Sequence, residues 1–330
     1  MSKKHLLVTV AVIAAALVSI TVFTLVFGES DGGGQGSQSE IAVHKNAEDP
    51  YCLLVAGKDR TSGLSDVIML ISFDPKKDRI SVLQIPRDTY VEYGSRSYNK
   101  INGALNFLEE EGLVRLFEDS LGVPIDGYLT LDLDAFGLIV DAVGGVEMTL
   151  DEPLRYRDPS QDLVIDLPAG RQKLDGRQAE MYVRYRSGYA RGDIDRLDAQ
   201  KKFLSAFFDT LKREINADNA YSIASTLIKS VNTDVGVMLG TALGLEAIKV
   251  DSENLYFFTL PGAPALSSVS GASYYVMSAK PAQRILCEYF GKKGENIDGA
   301  RIFAHSTYPE FIKIYENEAK TEPIRSSELK

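Results

Sequence analysis

The sequence predicts an α/β protein, a layered α-β-α sandwich around a central mixed sheet, preceded by one N-terminal transmembrane helix. Three observations lead to this prediction. Short apolar runs typical of strands are interleaved with segments whose apolar residues have helical spacing. Hydrophobic residues make up 45% of the chain and charged residues 25%, as in ordinary globular proteins. Residues 6–27, in contrast, carry no charge.

The uncharged segment 6–27 is long enough to cross a bilayer, which takes about 20 apolar residues in a helix. Lys3 and Lys4 precede it and the next charges are acidic, so the positive-inside bias places residues 1–5 in the cytoplasm and everything after the helix outside the cell. The alternative is a cleaved signal peptide, whose apolar region would span only about 7–15 residues and end at small residues. We expect an uncleaved single-pass anchor in the cell membrane, followed by a flexible Gly/Ser/Gln-rich linker over 28–48.

Apolar runs predict the strands of an extracellular domain, which we expect over 49–292. These runs are 51–57, 67–73, 80–85, 128–133, 146–150 and 255–260. Asp74, Pro75 and Asp78 lie between the second and third runs, and such turn-forming residues predict an antiparallel hairpin. The polar stretch 151–173 is expected to be irregular.

Apolar residues spaced three and four apart predict the helices. They are 102–121, 135–143, 179–183, 193–215, 219–230, 236–249 and 280–290. Asp175 forms a capping box with the glutamine three residues on, which starts the third of these helices. In the long fourth helix, apolar residues from Phe203 to Leu211 make one stripe, which serves either as core or as the wall of an apolar groove. Residues 293–330 form a polar tail, which we expect to be disordered from residue 316.

Composition excludes several functional classes. The net charge of -10 disfavours a nucleic-acid binder. Two cysteines cannot build a disulfide scaffold or a four-thiolate zinc site, and three histidines argue against a Ser-His-Asp hydrolase or a histidine-ligated metalloenzyme. Cys52 and Cys287 either form one bridge, if their Cα atoms lie within about 7 Å, or remain thiols.

Two aspartates at strand ends are candidate metal ligands. Asp59 follows the first predicted strand and Asp66 precedes the second, so they approach each other if these strands are neighbours. Paired carboxylates there would suit Mg²⁺, a hard cation that takes oxygen ligands. The alternative is that both aspartates cap turns. Arg87 and Asp88 directly follow the third strand and would lie at its end.

Arginines near the long helix are candidate phosphate ligands. Arg184 and Arg186 are two residues apart and project to the same side if the chain is extended there. Asp193, Arg196 and Gln200 share one face of the predicted helix. Planar guanidinium groups bind phosphate or pyrophosphate oxygens in bidentate fashion. The alternative is a solvated basic patch with local ion pairs.

Several short motifs occur together in one chain. They are LLVAGKD at 53–59, SD at 65–66, QIPRD at 84–88, KIN at 100–102, VGGV at 143–146, LDG at 174–176, YVRYR at 182–186, and GD at 192–193 leading through Arg196 to Gln200. Over residues 50–290, and together with the N-terminal anchor, this chain resembles the LytR-CpsA-Psr (LCP) family of cell-envelope ligases. The resemblance implies an α/β sandwich with a hydrophobic lipid pocket. It implies transfer of an anionic glycopolymer, such as wall teichoic acid or capsular polysaccharide, from a polyprenyl-pyrophosphate carrier to a peptidoglycan hydroxyl.

The resemblance also implies roles for individual residues. Its Mg²⁺ carboxylates correspond to Asp59 and Asp66. Its pyrophosphate-binding residues correspond to Arg87, Arg184, Arg186, Arg196 and Gln200, and the residues implied to be catalytic are Arg87, Asp193 and Arg196. The chain departs from the family pattern in having Thr61, Leu64 and Ala199 where arginines are common, and Asp195 where glycine is common.

We therefore expect the domain at 49–292 to be a Mg²⁺-dependent phosphotransferase. Phosphoryl transfer needs positioning of the reactants and neutralisation of developing charge, which Mg²⁺ and the arginines would supply. Asp193 and Asp88 remain alternative candidates for the base. A phosphatase or pyrophosphatase acting on the same carrier, and a noncatalytic envelope regulator or glycan-binding module, are the alternative functions. The expected partners are the carrier-linked glycan, peptidoglycan and the membrane, reached through one helix, with no nucleic acid.

Overall fold

The structure is a computed structural model of the 330-residue chain, and it describes the following residues. They are 49–58, 63–93, 96–158, 163–185, 193–214, 231–235, 247–268, 270–293, 311–314 and 322–329. The predicted transmembrane helix 6–27, the linker 28–48 and the predicted helix 219–230 lie outside this set, as does the predicted helix 236–249 up to residue 246. Within the described segments, no helix combines the length and apolar character needed to cross a bilayer.

Strands and helices alternate along the described chain. The strands are β1 (Tyr51–Lys58), β2 (Ser65–Asp74), β3 (Arg79–Ile85), β4 (Tyr90–Tyr93), β5 (Arg96–Lys100), β6 (Gly127–Leu131), β7 (Val146–Leu150), β8 (Leu154–Asp158), β9 (Leu163–Leu167), β10 (Gly170–Leu174), β11 (Val231–Thr233), β12 (Leu255–Thr259), β13 (Gly262–Ser267), β14 (Ser273–Met277), β15 (Phe311–Ile314) and β16 (Ile324–Arg325). The helices are α1 (Ala104–Leu121), α2 (Leu133–Ala142), α3 (Gly176–Arg184), α4 (Asp193–Glu214) and α5 (Ala279–Tyr289), with short 3₁₀ helices at Ile101–Gly103, Ser252–Asn254 and Ser326–Leu329.

A seven-stranded mixed sheet forms the centre of the fold, in the order β11-β6-β1-β2-β3-β12-β16. β2 is antiparallel to both β1 and β3, which confirms the predicted hairpin, whereas β6 and β12 run parallel to β1 and β3. Four strands therefore end at the same edge of the sheet, at Lys58, Ile85, Leu131 and Thr259. We call it the carboxyl edge, and Ser65 at the start of β2 pairs with Lys58 there.

Helices cover both faces of this sheet, which confirms the predicted sandwich. Leu53 and Val55 face a core shared with α2, α3 and α4, whereas Leu54 and Ala56 face a second core shared with α1 and α5. This alternation is the period of two that a strand imposes on its side chains. The apolar stripe of α4 is fully or almost fully buried in the first core, at Phe203, Leu204, Phe207, Phe208 and Leu211. The stripe is therefore part of the packed core.

The direction of α4 brings its first turns to the carboxyl edge. Near its start, Lys201 Nζ donates to Thr259 Oγ1 at the end of β12, at 2.8 Å. Near its end, Ser252 Oγ donates to Asp209 Oδ1 at 2.7 Å, and Ser252 precedes β12. The helix is thus antiparallel to β12, and residues 193–201 lie over the edge where β12 ends.

Helices α2 and α3 cross at very close range. A Cβ added to Gly176 would lie 2.2 Å from the carbonyl oxygen of Gly137, so only hydrogen fits at this position. The predicted capping box is confirmed, because the Asp175 side chain accepts from Gln178 N at 2.7 Å and the Gln178 side chain accepts from Asp175 N at 3.1 Å. Gly176 N also donates to Asp141 Oδ1 at 2.7 Å, which ties the start of α3 to the end of α2.

The prediction that 151–173 is irregular is wrong, because β8, β9 and the start of β10 fall within it. β8 and β9 form a two-stranded ribbon, and β10 pairs with β7. These ribbons face solvent on one side, as the exposed pair Arg155 and Asp166 illustrates. An exposed ribbon needs polar residues on that side, so it lacks the apolar density by which core strands are detected.

The C-terminal segment is ordered where disorder is expected. Residues 322–329 form β16, the last strand of the central sheet, and a 3₁₀ helix. Ser326 is fully buried and its carbonyl oxygen accepts from Ser205 Oγ of α4 at 3.0 Å. Cys52 is buried in β1 and Cys287 is exposed on α5, and the two are not bridged.

Candidate active site

Four charged residues form a continuous network at the carboxyl edge, which we call the edge network: Asp66, Arg87, Asp88 and Lys100. The Asp66 side chain is 0% exposed, and its Oδ1 accepts from Arg87 Nη1 at 3.0 Å. Asp88 Oδ1 accepts from Lys100 Nζ at 2.7 Å, and Asp88 Oδ2 lies 3.9 Å from Arg87 Nε. Acidic and basic groups therefore alternate along the network, with one pair buried and the other partly open to solvent.

Backbone geometry fixes the edge network. Pro86 directly follows the last residue of β3 and begins a turn, in which Thr89 N donates to Pro86 O at 2.9 Å. Arg87 O accepts from Asn102 N at 3.2 Å, and Asp88 O accepts from Tyr275 N at 2.8 Å. Arg87 and Asp88 are thus anchored both to the segment before α1 and to the small β13–β14 sheet. Such anchoring holds their side chains in one place for ligand binding.

A second group reaches the same edge from α4. Arg196 and Gln200 stand four residues apart on the helix and are 1% and 0% exposed. Lys201 is 3% exposed, and its Nζ donates to Asp198 Oδ1 at 3.0 Å as well as to β12. Long cationic side chains are seldom buried this completely without a functional or structural reason. The first turns of α4 therefore carry two buried cations and a buried amide, and Lys201 reaches the carboxyl edge.

Arg184 arrives from the opposite side, at the end of α3. The start of α3 is bonded to the end of α2, so the two helices run antiparallel. Arg184, in the last turn of α3, therefore lies towards the start of α2, which follows β6. Its Nη1 donates to Glu180 Oε1 at 3.1 Å across one helical turn. Burial raises the pKa of Glu180, an effect that the nearby Arg184 opposes and Asp134 reinforces. Arg184 is thus held by a carboxylate of its own helix.

Of the predicted site residues, the structure joins Asp66 to Arg87 by an ion pair of 3.0 Å. Arg196 and Gln200 are buried in the first turns of α4, and Arg184 lies at the end of α3. Asp59 and Arg186 lie outside the described residues, and so does the side chain of Asp193, although α4 begins at that residue. Arg184 belongs to the last turn of α3 and not to an extended segment, contrary to the geometry expected for the arginine pair.

Sequence reasoning missed Lys100, Glu180 and Lys201 as site residues. Lys100 opens the KIN motif, and Lys201 directly follows Gln200, so both were close to recognised signals. Glu180 carried no motif, and its role appears only when α3 is folded.

The carboxylate of Asp66 has one oxygen available to a cation. Its Oδ2 is buried and has no hydrogen-bond partner among the described residues, while Oδ1 is taken by Arg87. An orphaned buried carboxylate oxygen suits a hard cation such as Mg²⁺. Within the described part of the chain, no cluster of three or more His, Cys, Asp or Glu side chains has metal-binding geometry.

Comparisons with known proteins identify the family and the fold. A model of the LytR_cpsA_psr family matches residues 25–289. A Bacillus subtilis (strain 168) protein named polyisoprenyl-teichoic acid–peptidoglycan teichoic acid transferase TagV is 32% identical over 239 residues, 68% of this chain and 60% of that protein. The Halalkalibacterium halodurans protein with the same name but designated TagU is 27% identical over 280 residues, 77% of this chain and 90% of that protein. The crystal structure of B. subtilis TagV matches with a TM-score of 0.63 and 26% sequence identity, covering 75% of this chain and 99% of that one. Because the family model covers most of the sequence and the mixed sheet matches the fold of a solved relative, the chain belongs to the LytR-CpsA-Psr family.

Proposed function

We propose that the protein is a membrane-anchored extracellular phosphotransferase that attaches an anionic glycopolymer, of wall teichoic acid or capsular polysaccharide type, to a peptidoglycan sugar hydroxyl. The donor is the glycopolymer on a polyprenyl-pyrophosphate carrier. The observation that supports the proposal is that Arg87, directly after β3, is held at 3.0 Å by the buried carboxylate of Asp66, while Arg196 is buried in α4, whose Lys201 bonds to the end of β12. The names of the relatives TagU and TagV support the same reaction class.

The arginines would bind the pyrophosphate through charge-assisted hydrogen bonds, and Gln200 would add an amide. Asp66 orients Arg87 at 3.0 Å, so the Arg87 guanidinium needs little reorganisation when substrate arrives. Arg196 is buried, which strengthens its attraction for a phosphate oxygen relative to an exposed arginine. Positioning and charge neutralisation are what phosphoryl transfer requires of a protein.

Asp66 and Asp59 are the residues that would hold Mg²⁺. The ion would supply positive charge opposite the phosphate oxygens. The support for this assignment is the buried, unpartnered Oδ2 of Asp66. Asp66→Asn should weaken Mg²⁺ binding, measured by titration calorimetry, because an amide keeps the shape but not the charge.

Asp193 is our choice as the base that receives the acceptor proton. The alternative, Asp88, has each carboxylate oxygen near a cation, at 2.7 Å from Lys100 and 3.9 Å from Arg87. Such a carboxylate is better suited to orienting those cations. Asp193 begins α4 over the carboxyl edge. Asp193→Asn should therefore lower turnover far more than Asp88→Asn at equal donor binding.

The membrane anchor is proposed from the charge-free segment 6–27 and the preceding Lys3 and Lys4. Protease added to intact cells should digest the domain after Gly28 and leave a membrane-bound stub. A fully protected domain would contradict this topology.

Full-length protein in detergent, incubated with carrier-linked glycan, Mg²⁺ and peptidoglycan, tests the function. Product on peptidoglycan supports transfer, whereas release of glycan phosphate to water would indicate a phosphatase and binding without product a noncatalytic module. Arg184→Lys should reduce transfer roughly tenfold to a hundredfold, because an ammonium lacks the bidentate fork. Arg171→Lys is the matched control, since Arg171 is 79% exposed and lies in a surface pair with Glu147. Equal activity of Arg184→Lys and Arg171→Lys would contradict the arginine assignment.

A further inference from the structure

Two aromatic rings lie beside the edge network, at the start of α1. The ring centroids of Tyr93 and Phe107 are 5.5 Å apart, and the ring planes meet at 44°. Phe107 is 61% exposed, more than any other large apolar side chain in the described part of the chain. We call these two rings the aromatic platform. A pair of rings left partly in water next to a candidate active site offers a surface to a ligand.

Backbone contacts fix the aromatic platform to the edge network. Tyr93 Oη donates to Lys100 O at 3.2 Å, and Asn99 Nδ2 donates to Tyr93 O at 2.7 Å. Because Lys100 is a member of the edge network, the platform and the network form one continuous surface. A Cβ added to Gly103 would lie 2.5 Å from Tyr93 Oη, so glycine before α1 is what lets the Tyr93 ring pack there.

Polar side chains surround the aromatic platform. Asn106, next to Phe107, is exposed, and its amide lies against Gly63, where a Cβ would meet Asn106 Oδ1 at 2.7 Å. The side chains of Asp88 and Lys100 are 34% and 29% exposed. Rings with amide and charged groups at their margin suit a sugar, whose C–H groups stack on the negative ring face while its hydroxyls form hydrogen bonds. A hydrocarbon chain needs a continuous apolar groove instead.

Negative charge near the platform favours one glycan over the other. Glu109, Glu110 and Glu111 follow shortly after Phe107, and the first and last of them are exposed. Their charge acts nearby, because the pKa of Tyr128 is raised by burial and then by Glu111, Asp234 and Glu110. An anionic glycopolymer is repelled by such a surface, whereas the uncharged sugar rings of a peptidoglycan strand are not.

The platform and the α4 residues belong to opposite faces of the sheet. Tyr93 packs against the core that contains Leu54 and is covered by α1. Arg196 and Gln200, which we assign to the donor, belong to α4, and α4 covers the face of Leu53. The two substrates can therefore reach the edge network from different faces without competing for one surface.

We propose that the aromatic platform binds a sugar ring of the acceptor peptidoglycan strand, an inference that rests on the proposed function. The sugar stacks on Phe107 and Tyr93, and Asn106 forms hydrogen bonds with its substituents. This contact places a neighbouring hydroxyl of the strand at the edge network. The platform acts on acceptor binding and takes no part in the chemical step.

Cosedimentation of full-length protein in detergent with peptidoglycan stripped of glycopolymer tests the binding. Phe107→Ala should raise the Kd for peptidoglycan roughly tenfold, as truncation of an aromatic anchor does. Phe107→Trp should bind at least as tightly as wild type, because a larger ring keeps the stacking surface. Leu138→Ala is the matched control, since Leu138 is 54% exposed on α2, and its Kd should stay within about twofold. All three variants should melt within about 2 °C of wild type, because neither side chain is buried.

Transfer kinetics separate the acceptor from the donor. Phe107→Ala should raise the KM for peptidoglycan roughly tenfold and leave kcat and the KM for the carrier-linked glycan within about twofold. Wild-type peptidoglycan affinity in Phe107→Ala, or an equal loss in Leu138→Ala, overturns the proposal. So does a raised donor KM with an unchanged acceptor KM, or a loss of binding only to phospholipid vesicles.

The same measurements distinguish failure of the platform from failure of the proposed function. Transfer by the wild type with an unchanged acceptor KM in Phe107→Ala overturns the platform alone. Binding of the wild type to peptidoglycan through Phe107 without any transfer overturns the proposed function and supports the platform. Absence of both peptidoglycan binding and transfer in the wild type overturns both.

Discussion

The buried ion pair between Asp66 and Arg87 should dominate the stability of the carboxyl edge. The Asp66 side chain is 0% exposed, the Arg87 side chain 22%, and their charged atoms are 3.0 Å apart. At an effective dielectric constant of about 20 the attraction at this distance is about 5.5 kcal/mol before desolvation is subtracted. Breaking a buried pair costs about 3–5 kcal/mol, and the partial exposure of Arg87 places this pair at the lower end. Arg87→Ala should therefore destabilise the protein by about 3 kcal/mol.

A double-mutant cycle isolates the pair from other effects of each substitution. Asp66→Asn, Arg87→Ala and the double variant should be compared with wild type by urea unfolding and thermal melting. For Arg87→Ala we expect Tm to fall by roughly 6–12 °C, as a domain of this size loses roughly 2–4 °C per kcal/mol. In the double variant the free energy of unfolding should fall little further than in Arg87→Ala, because Asp66→Asn removes the charge that would otherwise be left buried. The coupling free energy between the two residues should be about 2 kcal/mol.

The pair Arg171 and Glu147 is the control, because its atoms lie 2.9 Å apart but its side chains are 79% and 40% exposed. The same cycle there should give a coupling of at most about 0.5 kcal/mol, since water screens exposed pairs. Equal coupling free energies for the two pairs would refute the argument that burial, and not distance, sets the strength of the Asp66 pair.

Three further predictions follow from the α3 region. Burial raises the pKa of Glu180 above 4.5, so the folded state holds the Glu180 proton more tightly than the unfolded state does. As pH rises from about 4.5 through the raised pKa, the wild type should therefore lose stability relative to Glu180→Gln. Urea unfolding across this pH range measures the difference, and parallel stability curves would contradict it. Gly176→Ala should destabilise the protein by about 2–3 kcal/mol in thermal melts, because its methyl would meet the Gly137 backbone, whereas Gly137→Ala has ordinary contact distances and should be tolerated. Asp175→Ala should cost about 1 kcal/mol in urea unfolding through loss of the capping box, and Asp175→Ser should restore most of it.

Residues of the candidate site were predictable where one short segment of sequence indicates both the charged side chain and the strand end at which it lies. Arg87 follows β3 in an uninterrupted motif, and the aspartate of the SD motif begins β2, so their placement at strand ends could be deduced. The sequence does not predict their pairing with each other, because it places Asp66 beside Asp59 as a second carboxylate. The pairing follows from the register of the β2–β3 hairpin, in which Ile68 lies opposite Ile85, and the turn signal predicts the hairpin but not its register.

By itself, the sequence determined the elements whose signals are local. Apolar runs defined β1, β2 and β3, the Pro75 turn defined their hairpin, and Asp175 defined the start of α3, because each depends on residues within a few positions of one another. Only the tertiary structure decided which polar residues are buried. Gln84 and Lys201 have the side chains of surface residues, and they are buried because α4 runs antiparallel to β12 and covers that face of the sheet. The same long-range packing joined residues 322–329 to the sheet, since strand pairing of a polar segment rests on backbone hydrogen bonds that side-chain patterns do not reveal.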